Sequence, residues 1–324
     1  MPNNQLSQNN HDVDHAKRNQ DHTYFIILSM ASLMFVCAWF LFGMMGIVLA
    51  AITTLLYFLL APRISGNVVM NMYRAKRLNP EHGRELYDIL EVLSERAELK
   101  TVPEFYIIPS ATLNAFATGT QEKPYIGVTE SLIRQLELQE IAGIIAHEIS
   151  HIRNNDLKLM SFADTMSRIT QLMSFIGLFL IILNVPLMVF GEETFPWFGA
   201  LLLYIAPAIG NLLQLALSRV REFDADYDAA MLSGDPIGLA AALFKVERYQ
   251  GAFWEDVFFP GRRIPQPSLL RTHPPTEERI ERLRMLKPQN AQLTYPASPV
   301  ITIVGFGPSV LHPRYHWPWP GIWY

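Results

Sequence analysis

The run Leu138-Gln-Glu-Ile-Ala-Gly-Ile-Ile-Ala-His147-Glu148-Ile-Ser-His151-Ile-Arg153 decides how the rest of the chain is read. Leu138, Ile141, Ile144 and Ile145 recur at the spacing of one helix face, and no proline interrupts the stretch. On such a helix, positions i and i+4 lie one turn apart on the same side. His147 and His151 can therefore hold one ion between them, with Glu148 beside the first histidine. This is the H-E-x-x-H pattern, in which two imidazoles bind zinc and the glutamate takes a proton from water.

A catalytic zinc site has three protein ligands and one open position. The extended pattern with a downstream glycine and third histidine is absent, because Asn154 and Leu157 occupy those places. Further along, Ser218-Arg-Val-Arg-Glu222-Phe-Asp-Ala-Asp226 supplies E-x-x-x-D, the arrangement of thermolysin-like enzymes. It points to Glu222 as the third ligand and to Asp226 as the group that orients a ligand histidine. Asn211, Gln214, Ser218, Glu222 and Asp226 also recur every three or four residues, forming one polar helix stripe. The stripe begins inside an apolar stretch, where polar side chains are expected to face a helix bundle rather than lipid. His273, in Arg271-Thr-His-Pro-Pro275, is open to three readings: a third ligand, a hydrogen-bond donor to the transition state, or a turn residue.

Outward from these motifs the chain becomes strongly apolar. Of 324 residues, 50% are hydrophobic and 17% charged, and the apolar ones come in blocks. No charge falls between Thr23 and Pro62, and only Glu192 and Glu193 between Ile169 and Ser218. A bilayer-spanning helix needs roughly 20 apolar residues, so each block accommodates two. The expected spans are Tyr24–Phe42, Gly46–Ala61, Leu172–Phe190 and Phe198–Leu217. The first is too long for a cleavable signal peptide and lacks a small-residue cleavage site.

Lys17, Arg18, Arg63, Arg74, Lys76, Arg77, Arg153, Lys158, Arg168, Arg219 and Arg221 all flank one end of these spans. The two opposite turns, near Gly43–Met45 and Gly191–Trp197, contain neither Lys nor Arg. The basic side is expected to be cytoplasmic, with both termini and the motif segments on it. The net charge of −4 gives no electrostatic case for nucleic acid. Cys37 is the sole cysteine, so an intrachain disulfide is excluded.

The expected organisation is a disordered polar tail (1–22), spans one and two (23–62), and a cytoplasmic segment with the histidine helix (63–167). Spans three and four (168–217), a segment with the third ligand (218–286) and a Pro/aromatic-rich tail (287–324) follow. The fold class is mostly α, with four transmembrane helices and a small α+β zincin-like (gluzincin) domain on the cytoplasmic side. Asn79-Pro80 reads as an N-cap followed by a first-turn proline. Phe105–Ile108, Ala115–Thr118 and Tyr125–Val128 read as short strands. Thr129 is placed to cap the next helix, and Pro236–Tyr249 and Thr276–Met285 read as helices.

Four stretches together carry a resemblance: Asn114-Ala-Phe-Ala-Thr-Gly119, His147-Glu-Ile-Ser-His151, Ser218-Arg-Val-Arg-Glu222-Phe-Asp-Ala-Asp226, and Thr272-His-Pro-Pro275 followed by Arg279-Ile280. Over Tyr24–Leu286 the chain resembles the HtpX family of membrane-bound, heat-shock-associated zinc endopeptidases, relatives of the CAAX prenyl proteases. The resemblance implies one Zn2+ per chain and cleavage of misfolded or damaged membrane proteins at a prokaryotic inner membrane. It implies that Asn114–Gly119 is an edge strand beside the metal to which extended substrate adds, with Asn114, Ala115 and Phe116 as substrate-strand residues and the Phe116 N–H among the donors. It also implies a substrate or transition-state role for His273. CAAX-type processing is the enzymatic alternative, disfavoured because those relatives carry more spans than four. A catalytically silent client-binding adaptor would be expected to have lost Glu148 or a ligand. The polar N-terminal tail and the stretch after Leu286, with Trp317, Trp319 and Trp323, depart from the family pattern without touching the metal residues.

Overall fold

The computed structural model describes residues 3–60, 66–192, 194–258, 275–287 and 292–293. His273 and the aromatic tail lie outside the described residues. The elements in chain order are α1 (Asn3–Leu60), α2 (Gly66–Met72), β1 (Lys76–Arg77), α3 (Arg84–Arg96), β2 (Glu104–Ile108), β3 (Ala115–Gly119), β4 (Pro124–Thr129), α4 (Glu130–Gln135), α5 (Leu138–Arg153), α6 (Asp156–Phe190), α7 (Trp197–Ser233), α8 (Pro236–Phe258) and α9 (Thr276–Met285). They form two compact units, Met1–Pro62 with Lys158–Val220 and Arg63–Leu157 with Arg221–Tyr324.

The described residues of the first unit are helical apart from the short connection between α6 and α7, and strongly apolar beyond the polar start of α1. Among the described residues, three helices are long and apolar enough to cross a membrane: Asn19–Leu56, Asp156–Phe190 and Trp197–Ser233. Four were expected; the difference arises because the first two share α1. Gly43 divides them with a non-helical backbone at φ 58°, ψ −140°, a conformation that suits a residue without a Cβ. Beyond it the chain folds back. A Cβ on Gly46 would collide with the carbonyl oxygen of Ala38, and Ala50 joins Met30, Met34 and Ala38 in one buried cluster. Phe162, Ala163 and Met166 of α6 and Leu217 of α7 complete that cluster.

Phe179, Phe190 and Phe198 remain 62%, 80% and 71% exposed, an apolar surface that calls for a partner such as lipid. Ser167 Oγ donates to Gln214 Oε1 at 2.7 Å, so the polar stripe is covered at Gln214. Asn211, expected on that same covered face, is exposed. The helix of α1 reaches back to Asn3, into the stretch expected to be disordered. Neither glycine nor proline stands between Pro2 and Gly43 to stop it.

The second unit holds a four-stranded sheet in the order β1-β2-β4-β3. β2 and β4 are parallel, and the outer pairs are antiparallel. β4 is buried along its whole length, while β3 forms an edge. Against the sheet lies α5, whose bounds match the sequence reading. Ile141, Ile145 and Ile149 enter a core with Leu90, Phe105, Ile126, Val128 and Leu239. Each such side chain contributes on the order of 1.5–3 kcal/mol by leaving water. At Gly143 a Cβ would come within 2.9 Å of the Leu239 backbone, so glycine permits the close approach of α5 to α8. A reciprocal capping box starts α5, with the Glu137 N–H donating to Glu140 Oε2 at 2.8 Å.

Local expectations differ from the structure in three places. Asn79-Pro80 makes a turn in which the Glu81, His82 and Gly83 amides donate to Asn79, and the helix starts later, at Arg84. Thr129 occupies the N-cap position of α4, but its hydroxyl donates to Asn114 O at 3.0 Å. α8 continues past Tyr249 to Phe258.

Candidate metal centre

One face of α5 supplies His147, Glu148 and His151; α7 supplies Glu222 and Asp226. All but His151 are at least nine-tenths buried. One atom each from His147, His151 and Glu222 lie within 4.8 Å of one another. His147 Nε2 is 3.2 Å from His151 Nε2 and 3.5 Å from Glu222 Oε2. Tetrahedral zinc with bonds of about 2.0–2.1 Å would separate its ligand atoms by about 3.3–3.4 Å, and the two measured edges bracket that span. Two ring nitrogens aimed at each other beside a carboxylate is an arrangement that a cation resolves. The residues fit zinc.

An aspartate backs the far nitrogen of each imidazole. His147 Nδ1 lies 3.1 Å from Asp226 Oδ1, an ion-pair contact outside good hydrogen-bond alignment. His151 Nδ1 lies 2.9 Å from Asp156 Oδ2. Each aspartate in turn meets an arginine. Arg279 Nε and Nη2 donate to the two oxygens of Asp226, both at 2.7 Å, and its Nη1 is 3.1 Å from Glu222 Oε2. Arg221 Nε donates to Asp156 Oδ1 at 2.6 Å, and its Nη1 donates to Asp224 Oδ2 at 2.7 Å.

These charges set the site's protonation. Burial alone would lower the pKa of His147, but Asp226 and Glu222 outweigh it and raise it to about 10. A metal ion entering here takes the place of that proton. Burial likewise works against the Arg279 cation, and Asp226 and Glu222 reverse the effect, raising its pKa. The guanidinium stays charged.

The sequence reading brought together His147, Glu148, His151, Glu222 and Asp226. It assigned no role to Arg279 or Asp156 and took Arg221 only as a basic flank. The available signals are slight: Arg279 stands four residues past the Thr272–Pro275 stretch, Asp156 five residues past a ligand, and Arg221 next to Glu222.

The edge strand β3 packs beside α5. Asn114 is exposed, and Phe116 is buried against the Tyr73 ring at 5.1 Å. Its hydrogen-bond phase is fixed at both ends. The Thr129 N–H donates to Asn114 O at 2.9 Å, and Thr120 and Lys123 exchange two bonds of 3.1 Å. Bonded and non-bonded pairs alternate in an antiparallel ladder. Phe116 therefore bonds to Gly127 and Thr118 to Tyr125, leaving the N–H and C=O of Ala115, Ala117 and Gly119 turned away from β4.

Residues 80–287 match the family model described as Peptidase family M48. The chain belongs to peptidase family M48. Over 287 residues it is 32% identical to a protein described as Protease HtpX homolog from Desulfatibacillum aliphaticivorans, covering 84% of this chain and 91% of that one. Proteins of the same description from Acaryochloris marina and Pyrococcus furiosus are 36% and 34% identical, covering 85% and 88% of those chains. The crystal structure of S. mikatae Ste24p is similar with a TM-score of 0.42 and 18% identity, covering 84% of this chain and 66% of that one. This M48 peptidase is thus an integral-membrane zinc metallopeptidase, with His147, His151 and Glu222 as its metal-binding group.

Proposed function

We propose that this M48 peptidase is an endopeptidase that cleaves unfolded or damaged membrane proteins at the cytoplasmic face of a prokaryotic inner membrane. The observation that carries this reading is the meeting of His147, His151 and Glu222 within 4.8 Å, next to Glu148, in a chain with long apolar helices. When bound, zinc supplies a Lewis acid that polarises a peptide carbonyl and acidifies water. The Glu148 carboxylate takes a proton from the attacking water as the oxygen–carbon bond forms. It then delivers a proton to the amine nitrogen as the carbon–nitrogen bond breaks. Asp226 orients His147, and Arg279 holds the buried Asp226 in its charged form while pairing with Glu222. His273 is assigned a hydrogen bond to substrate or transition state on the family resemblance alone.

Extended substrate pairs with the edge of β3, through the outward groups of Ala115, Ala117 and Gly119. The Phe116 N–H, expected among the donors, is committed to Gly127 in this register. The membrane segment is proposed to cross four times. The break at Gly43 and the packing of Ala50 against Met30 and Met34 support a hairpin in α1. The one-sided Lys and Arg flanks support cytoplasmic termini and a cytoplasmic site.

The deciding experiment compares membranes carrying wild type or Glu148→Gln and identifies peptides that only the wild type produces. Fragments from many membrane proteins, enriched after unfolding stress, are the expected result. Fragments confined to carboxyl-terminal processing of lipid-modified chains would replace this reading with the CAAX-type one. Identical peptide sets would replace it with the adaptor.

A further inference from the structure

We propose that Asp156 is a positioning residue for the zinc ligand His151, itself held by Arg221, so that a second aspartate–arginine pair backs the metal centre. The proposal deepens the zinc reading and rests on it. Its starting point is the turn after the histidine helix. α5 ends at Arg153, and Asn154 keeps a right-handed backbone at φ −82°, ψ 0°. Asn155 then turns through φ 58°, a conformation that asparagine tolerates better than most residues. That single left-handed residue makes Asp156 the first residue of α6 and returns its carboxylate to His151 Nδ1 at 2.9 Å. Asn154 Nδ2 donates to Asp228 Oδ2 at 2.8 Å, anchoring the turn to α7.

The Asp156 side chain is only 2% exposed. A carboxylate that deeply buried is costly unless it is paired and hydrogen-bonded. Asp156 meets both conditions, taking the His151 ring on one oxygen and Arg221 on the other. Arg221 in turn donates to Asp224, which holds the guanidinium from its other side. The consequence falls on the imidazole. A proton held on Nδ1 by Asp156 leaves Nε2 with a free lone pair, the form that binds metal, and fixes the ring's orientation. That Nε2 is the atom 3.2 Å from His147 Nε2. Arg221 immediately precedes Glu222, so the same ion pair also ties the α7 ligand to the turn that follows the α5 ligands.

The test uses full-length protein purified in detergent, with zinc affinity measured by competition against a chelator. It adds the visible spectrum of the cobalt(II)-substituted form and thermal melting of the metal-free form. Asp156→Ala is expected to weaken zinc binding roughly 10–100-fold and to change the cobalt spectrum. Asp156→Asn keeps the shape and an acceptor for Nδ1 while losing the charge, so it should fall between. Arg221→Ala should also weaken binding, and the double variant should bind no worse than Asp156→Ala alone, because the two act through one chain of contacts. Wild-type affinity and an unchanged spectrum in Asp156→Ala and Asp156→Asn would overturn the proposal, as would losses confined to metal-free melting. If wild type itself held no zinc, the metal reading would fall and this proposal with it. Zinc in wild type with no difference in the variants would remove this proposal alone.

Discussion

Glu148 and Glu222 are both buried carboxylates beside the same two imidazoles, yet the proposed mechanism gives them different work. Glu222 places an oxygen among the grouped ligand atoms; Glu148, next to His147 on α5, is the proposed proton carrier. Glu148→Gln should keep about one zinc per chain while turnover falls about 10²–10⁴-fold, the range for losing a positioned base. Glu222→Ala leaves two imidazoles and should lose most of the metal with the activity. Zinc by elemental analysis, paired with cleavage of an unfolded test protein, checks both outcomes. Arg279→Ala tests the charge balance. It deprives Asp226, only 3% exposed, of its two arginine hydrogen bonds and leaves it the His147 contact alone, so a destabilisation of about 3–5 kcal/mol is expected in thermal unfolding of the solubilised protein. At this scale the sequence announces residues whose spacing follows a helix, such as His147 with His151 and Glu222 with Asp226. It stays silent about Arg279 and Asp156, because pairings across 53 and 65 residues leave no local period.

Among the elements, β3 carries the sharpest expectation. Its outward amides belong to Ala115, Ala117 and Gly119, so Ala117→Pro should abolish cleavage of extended peptides with zinc still bound. Phe116→Pro instead breaks a bond to Gly127 and should lower the melting temperature. A complementary measurement avoids any folding defect: N-methylating successive amides of a cleaved peptide should impair hydrolysis at alternate positions. Uniform tolerance would exclude pairing with the strand. The boundaries of α5 and α9 were readable because apolar period and charge change at both ends. β1, two exposed residues long, offers no such contrast, and α2 is a seven-residue helix that begins on a glycine and ends at a turn. Asparagine–proline serves both a turn and a helix start, so the sequence alone does not separate them; the later start at Arg84 follows from Gly83 and the amides gathered on Asn79.

For the whole molecule, the hairpin at Gly43 and the basic flanks make one topological claim. Reporters inserted after Gly43 and near Glu193 should both lie outside the cytoplasm, and one fused after Tyr324 inside it. A C-terminal reporter on the outer side would move the site across the membrane. The placement of the metal ligands on two separate helices has a different consequence. An ion shared by α5 and α7 is a removable cross-link, one that the unfolded chain does not contain. Binding to the folded state alone adds about 2.7 kcal/mol of stability at a hundredfold excess over the dissociation constant. The melting temperature should therefore climb with the logarithm of free zinc in wild type and stay flat in Glu222→Ala. Scarce metal should therefore lower the standing amount of folded enzyme as well as its turnover, an outcome read from protein abundance in zinc-starved and zinc-fed cells.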